Sequence, residues 1–387
     1  MTVPSGRVLV LNAGSATLKA TVLDLPASEP RFDRTIDWPT AAQVASGSAL
    51  DATLDAIVDD GVASSSIVTV GHRVVHGGER FTAPVAIDDE TLGGLDDLAG
   101  LAPLHNPIAV AVIREARMRL PGIPHVAVFD TAFHATLPVD AWRYPVPDDW
   151  LIDHGIRRFG FHGLSVEWST RRTADLLGRP VRDVRLIVAH LGGGCSVTAV
   201  DGGRSVDTSM GLTPLEGLMM GTRAGSIDPG ILFSLHGRGM PLDEIEHRLE
   251  HESGLLGVGG TDDMRTLLRR ESGGDDRAAL AIALFVRRAA AAIAAAATTL
   301  PTLDALVFTG GIGEHAATVR SRICGRLGML GVPTPGADAP EGDHLLGRGP
   351  EGTTVIRVQA REDIVIANAA LAAIGAAWAG QAGVATD

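Results

Sequence analysis

The sequence predicts an α/β fold of two duplicated domains, each built on a mixed sheet. Three observations carry this. Apolar, β-branched runs recur at 67–75, 124–129, 184–189, 305–309 and 353–358. Helix-period patterns lie between them, at 107–119, 165–177, 241–252, 277–299 and 315–327, and such alternation defines the α/β class. A strand–loop–strand grammar also occurs twice. The first copy is 7–11, the small-residue loop 12–17, then 18–25; the second is 184–189, the loop 190–195, then 196–200. The copies superpose with one residue of slippage, which points to an internal duplication, although any two hairpins share part of that likeness. Hairpins join antiparallel strands, so the sheets are expected to be mixed rather than all parallel.

The remaining segments follow in order. Pro138, Pro145 and Pro147 cluster within 138–150, where the crossover between domains is expected. The first domain is then 1–140 plus 367–387, the second is 141–366, and the active cleft lies between them. Thr261 or Asp263 is placed to cap the short helix that follows. The stretch 334–352 is rich in Gly, Pro and Asp and reads as a surface loop.

Composition narrows the function. A chain of 387 residues can bury a sizeable core and supports two or three domains. The formal net charge of −13 disfavours nucleic acid as a partner. Cys195 and Cys324 are the only cysteines, too few for a disulfide framework, so a reduced, cytoplasmic setting is expected. The apolar run 8–11 is too short for a signal peptide. Two Ala-rich stretches, 278–300 and 364–379, mimic membrane spans. Arg287 and Arg288 interrupt the first and Asn368 the second, so both read as packed helices and no membrane is expected.

Three Gly-rich loops stand at strand ends, at 12–17, 192–194 and 310–313. Successive backbone N–H groups in such loops cradle phosphate, though glycines also serve ordinary turns. Thr309-Gly310-Gly311-Ile312-Gly313-Glu314 follows a strand and precedes a helix, as a nucleotide-binding turn requires, without the spacing of a Rossmann fingerprint or a P-loop. His72 and His76 are four apart, but the valines and glycines around them indicate a strand and a turn. On a strand they would stand about 13 Å apart, too far to share one tetrahedral zinc. Arg73 and Arg223 lie in tight, glycine-flanked, apolar settings. A partly buried arginine wants an anion, either a bound one or a structural carboxylate. Asp130, Glu362 and Asp363 follow strands, well placed to hold Mg²⁺ beside phosphate or to cap helices.

Taken together, these segments resemble the acetate kinase family, within the superfamily of acetate and sugar kinases, Hsp70 and actin. The likeness covers nearly the whole chain in nine ordered motifs: VLVLNAGSATLK (8–19), HRVVHGGERF (72–81), APLHNP (102–107), FDTAFH (129–134), RFGFHGLS (158–165), HLGGGCS (190–196), DTSMGLTPLEGLMMGTR (207–223), TGGIGE (309–314) and REDIVIA (361–367). The resemblance implies two actin-like, ribonuclease H-like domains around a central cleft. It implies reversible Mg²⁺-ATP-dependent phosphorylation of acetate to acetyl phosphate, with Mn²⁺ as a substitute metal and a homodimer as the assembly. Arg73 and Arg223 match the arginines that hold the carboxylate and the transferring phosphoryl group. His162 matches the transition-state histidine, Asp130 the essential aspartate and Glu362 the magnesium-binding glutamate. Asn12, Ser15 and Lys19 match the first phosphate loop, with Asn12 also beside the metal. Val75, Leu104, Phe161 and Pro214 match the acyl pocket. The nucleotide falls to Lys19, His190, Gly192, Gly193, Gly194, Gly310, Gly311, Ile312, Gly313 and His315.

The residue types suit that chemistry. In-line phosphoryl transfer needs alignment and positive charge on the equatorial oxygens. Two arginines and a histidine supply that charge, and an anionic carboxylate nucleophile needs no strong base. Domain closure would exclude water. The chain departs from the family pattern at Gly193 and His315, both in place of asparagine, at Leu164 in place of threonine, at Ala16 in place of a hydroxyl residue, and at Ser226 in place of an acid. These departures leave open a kinase for propionate or a longer acid, a donor other than ATP, or a non-catalytic nucleotide-binding regulator. The last should have lost a charged residue, and Arg73, Asp130, Arg223 and Glu362 are all present.

Overall fold

The computed structural model describes residues 6–14, 17–26, 29–37, 48–103, 105–336 and 340–382. The chain divides into two units, Met1–Ala132 with Arg361–Asp387, and Phe133–Ala360. The division falls earlier than 140 because residues just past Ala132 are tied to the second unit. His134 binds the hydroxyl of Ser205 and the carbonyl of Phe161, and Thr136 donates to the carbonyl of Ser205.

The first unit holds six strands: β1 (Gly6–Ala13), β2 (Thr17–Leu25), β3 (Pro30–Asp37), β4 (Ile67–Val74), β5 (Val85–Ala86) and β6 (His125–Phe129). Their order is β3-β2-β1-β4-β6-β5. The second unit holds β7 (Arg185–Leu191), β8 (Cys195–Asp201), β9 (Arg204–Thr208), β10 (Ala305–Thr309), β11 (His344–Arg348) and β12 (Thr354–Arg357), ordered β9-β8-β7-β10-β12-β11. The sheets correspond strand for strand. In each, the first three strands form an antiparallel meander, the next long strand joins parallel to the first, and the last pair runs antiparallel at the edge. The duplication expected from the hairpins therefore extends through all six strands.

Strands buried on both faces read as continuous apolar runs, which is why β6 and β10, buried at every residue, were legible in the sequence. In the first unit Phe129 is fully buried and stacks on Phe81, with ring centroids 5.3 Å apart. In the second, the helix Asp276–Ala297 is capped by Asp275, whose carboxylate accepts from the N–H groups of Arg277 and Ala278. Its buried stripe runs through Ala278, Ile282, Phe285, Ala289 and Ile293, and it packs against β7 and β8. Among the described residues it is the one helix long and apolar enough to cross a membrane. Arg287 and Arg288 lie on its exposed side, and Arg288 donates to the carbonyl of Ser226 at 2.7 Å.

Three expectations change. The stretch 334–352 is not wholly loop, because β11 pairs with β12. An edge strand takes its partner through the main chain, so its sequence need not be apolar. The predicted helix 315–327 is shorter, Ala317–Cys324, and a separate helix, Gly310–His315, precedes it, so the glycine turn is itself helical. The C-terminal helix starts at Glu362 rather than 367. Acidic residues suit the first turn of a helix, where they meet the positive end of its dipole.

That helix packs along β1, β2, β4, β5 and β6, and Gly71 on β4 makes the approach possible. A Cβ at Gly71 would stand 2.7 Å from Ile366 Cγ2 and 3.4 Å from Ala370 Cβ. Gly71→Ala is therefore expected to destabilise the protein by about 1–3 kcal/mol through overpacking alone, read as a lower Tm in thermal unfolding.

Candidate active site

In the first unit, four residues distant in sequence meet at the carboxyl ends of β1, β4 and β6. Arg73, on β4, donates from Nε to Asp130 at 2.9 Å and from a terminal nitrogen to the other carboxylate oxygen. Its second terminal nitrogen donates to Asn12 Oδ1 at 3.1 Å, and Glu362 Oε2 lies 3.8 Å from Nε. Asp130 is buried just past β6, with its own N–H bonded to the carbonyl of Val74. Asn12 stands opposite Lys19 in the β1–β2 register, and Lys19 pairs with Asp33 at 3.3 Å.

Burial works against the charge of Arg73, but Asp130 and Glu362 outweigh it and hold the guanidinium firmly protonated. Glu362 is the converse case. Burial raises its carboxyl above the ordinary range; Arg73 opposes this, while Asp130 and Asp363 add to it. Two carboxyls, one of them reluctant to ionise, and an amide oxygen gather around the Arg73 guanidinium and give the site an oxygen-only donor set. That chemistry fits a hard divalent cation completed by phosphate and water. Val75 is buried immediately after β4. Leu104, Ser15 and Ala16 lie outside the described residues.

In the second unit the focus is Gly194. His162 is, among the described residues, the one non-glycine with positive φ, at 59°. This left-handed backbone turns the chain into the helix Gly163–Leu177. Its Nδ1 lies 3.0 Å from Ser196 Oγ, and its ring stacks on His190 at 4.1 Å between centroids. His190 Nδ1 in turn meets Ser165 Oγ at 2.8 Å. A Cβ at Gly194 would stand 3.1 Å from His162 Nε2 and 3.8 Å from a terminal nitrogen of Arg223. The histidine and the arginine therefore converge on one backbone position that only glycine leaves clear.

Arg223 differs from Arg73 in what surrounds it. Its contacts are the carbonyl of Pro214 at 3.5 Å and the sulfur of Met220 at 3.9 Å. Among the described residues it forms no ion pair. Burial lowers its pKa, only partly offset by the charges of Glu250 and Cys195. A desolvated guanidinium without a carboxylate is a receptor for an incoming anion. Phe161 is buried, with its carbonyl accepting from His134 at 2.9 Å.

The glycine loops face a cavity of about 520 Å³. Of the residues named for the nucleotide, Gly192, Gly193, Gly311, Ile312 and His315 line it, and Gly193 and Gly311 have no atom within 4 Å of a notional Cβ. Gly310, at φ +76°, cannot take a side chain, since its Cβ would meet the carbonyl of Leu191 at 2.9 Å. Gly313 is buried against β7. Asp262, Asp263, Met264, Arg265 and Leu268 also line the cavity, and the sequence assigns them no functional role. The one available signal was Asp263, which caps the helix Met264–Ser272 by accepting from the N–H of Arg265.

Known proteins resemble this chain over most of its length. The sequence profile of the acetokinase family matches residues 35–368. The chain is 43% identical to the acetate kinase of Deinococcus radiodurans, an alignment covering 95% of this chain and 98% of that protein. The crystal structure of Porphyromonas gingivalis acetate kinase superposes with a TM-score of 0.86 at 33% identity, covering 96% of this chain and 100% of that one. A propionate kinase from Francisella tularensis superposes with a TM-score of 0.85 at 35% identity, covering 94% and 98%.

The histidines first weighed as zinc ligands have other partners. His72 Nε2 lies 2.9 Å from His125 Nδ1, and the rings stack across β4 and β6. His76 Nδ1 accepts from the N–H of Gly78. Burial, with a smaller contribution from Arg117, pulls His125 down to about 4. The unfolded chain, with an ordinary histidine near 6.5, then binds the extra proton as pH falls from about 6.5 to 4. The stability this group contributes is complete above pH 6.5 and is lost toward pH 4, by up to roughly 3 kcal/mol. Urea unfolding of wild type and His125→Asn over that window should show a steeper acid loss in the wild type.

Proposed function

The chain belongs to the acetokinase family, and on that premise we propose that it transfers the γ-phosphoryl group of ATP reversibly to acetate, giving acetyl phosphate and ADP. A carboxylate oxygen of acetate forms the new O–P bond in line with the bond that breaks to ADP, and no proton need leave the nucleophile. Arg73 orients the acid's carboxylate. His162 and Arg223 take up the charge that develops on the equatorial phosphoryl oxygens, where donors fixed in advance act most strongly. The Gly192–Gly194 loop, Gly310–Gly313, His190, His315 and Lys19 hold the nucleotide. Val75, Leu104, Phe161 and Pro214 bound the acyl group. Asp130 and Glu362, with the amide oxygen of Asn12, would hold Mg²⁺, which neutralises phosphate charge when bound. The same reading makes the chain a cytoplasmic homodimer.

The observation that carries this reading is Arg223: a desolvated guanidinium without an ion pair among the described residues, converging with His162 on a bare glycine. A reading as propionate kinase is favoured by the likeness to the Francisella tularensis enzyme. Acyl phosphate formation measured across C2–C4 acids, with ATP and pyrophosphate as donors, separates the two. The highest kcat/KM is expected for acetate with ATP, and no acyl phosphate from any acid would overturn the proposal.

The two arginines should fail differently when replaced. Arg223→Ala is expected to keep its Tm and lose roughly 10²–10³-fold in kcat with little change in acetate KM. Arg73→Ala should raise the acetate KM and lower kcat. It should also lose stability, about 3–5 kcal/mol, because it leaves Asp130 and Glu362 buried without their cation. Steady-state kinetics and thermal unfolding on the same preparations check both.

A further inference from the structure

Between β9 and the helix Gly230–Gly237 the chain runs through 209–229 without helix or strand. Such a stretch must satisfy its backbone polar groups elsewhere. One guanidinium does much of this. A terminal nitrogen of Arg158 donates to the carbonyls of Thr208, Ser209 and Met210 at 3.0, 3.1 and 2.9 Å. The other terminal nitrogen holds Glu216 Oε1 at 2.9 Å.

Tyr144, the only tyrosine in the chain, completes the arrangement. Its hydroxyl accepts from the N–H of Leu212 at 3.0 Å and donates to Glu216 Oε2. Burial, reinforced by the bond to Glu216, pushes the phenol pKa up, so the proton stays on Tyr144 and the donor direction is fixed. One phenol therefore ties together both ends of the stretch 212–216, whose middle residue is Pro214. The carbonyl of Pro214 faces Arg223. Gly211 leaves room for the clasp: a Cβ there would stand 1.8 Å from Glu216 Oε2 and 2.1 Å from the Tyr144 hydroxyl.

We propose that Tyr144 and Glu216 are positioning residues that set which acyl chain the site accepts, by fixing the place of Pro214 from both ends of its loop. The inference rests on the reading above, in which Pro214 bounds the acyl group. Neither residue is assigned contact with substrate. Their effect passes through the loop, so it should fall on the acid and leave the nucleotide alone.

The test is steady-state kinetics of wild type, Tyr144→Phe and Glu216→Gln with acetate, propionate and butyrate at saturating Mg-ATP, alongside Tm. Loss of one such hydrogen bond is expected to raise the acetate KM of Tyr144→Phe roughly five- to tenfold. The acetate-to-propionate ratio of kcat/KM should narrow by a similar factor, with ATP KM within about twofold of wild type. Glu216→Gln leaves an acceptor for only one of its two donors, Arg158 and the phenol, and should move both quantities in the same direction. It carries the test if Tyr144→Phe does not fold. A merely structural clasp would lower Tm while acetate KM and the acid ratio stayed at wild-type values, and that result overturns the proposal. If the wild type forms no acyl phosphate at all, it is the acetate reading that fails. If the wild type is active and both variants keep its acid preference, the positioning role alone fails.

Discussion

Taking a guanidinium out of water is tolerable only if an anion or a full set of acceptors replaces the lost solvent, and the two units answer that demand in opposite ways. In the first, Arg73 is matched inside the protein by Asp130, Glu362 and Asn12. Those partners come from the ends of β1 and β6 and from the start of the C-terminal helix. The placement of that helix, and Gly71 beneath it, follow from bringing Glu362 to Arg73. In the second unit the demand is left open. Arg223 has a carbonyl and a thioether against it, and under the proposed function the anion that satisfies it is a ligand.

The duplicated sheets make the contrast intelligible. Both place their candidate site residues at the carboxyl ends of parallel strands, where open α/β sheets generally bind ligands. The equivalent hairpins have diverged in what they offer. The β1–β2 hairpin presents side chains, Asn12 and Lys19, facing each other across the register. The β7–β8 hairpin presents backbone, through Gly192, Gly193 and Gly194, with His190 and Ser196 paired at its base. Charged side chains suit a metal and a small carboxylate; bare amides suit phosphate.

Much of this was legible in the sequence, and the limits have physical causes. Strands buried along most of their length announce themselves as apolar runs, so β4, β6, β7 and β10 stand close to where the sequence puts them. Residues whose role depends on charge in an apolar setting, such as Arg73 and Arg223, were visible for the same reason. The edge strand β11 was hidden because main-chain pairing imposes little on its side chains. The start of the last helix was hidden because Glu362 and Asp363 read equally well as loop acids. The wall Asp262–Arg265 carries no glycine signature. The Tyr144–Glu216 clasp joins positions 72 apart in sequence, and no local pattern reports a contact at that separation.

The proposed role of Arg223 is to act on charge that exists only during transfer. It is tested most directly by titrating ADP, Mg²⁺, acetate and aluminium fluoride, a planar mimic of the transferring phosphoryl group, into wild type and Arg223→Ala. Transition-state mimics bind far more tightly than ground-state ligands when the site is built for the transition state. The wild type is expected to gain strongly in affinity when fluoride completes the mixture. The variant should lose roughly 10²–10³-fold of that gain while binding Mg-ADP as the wild type does. An equal gain in both proteins would contradict it.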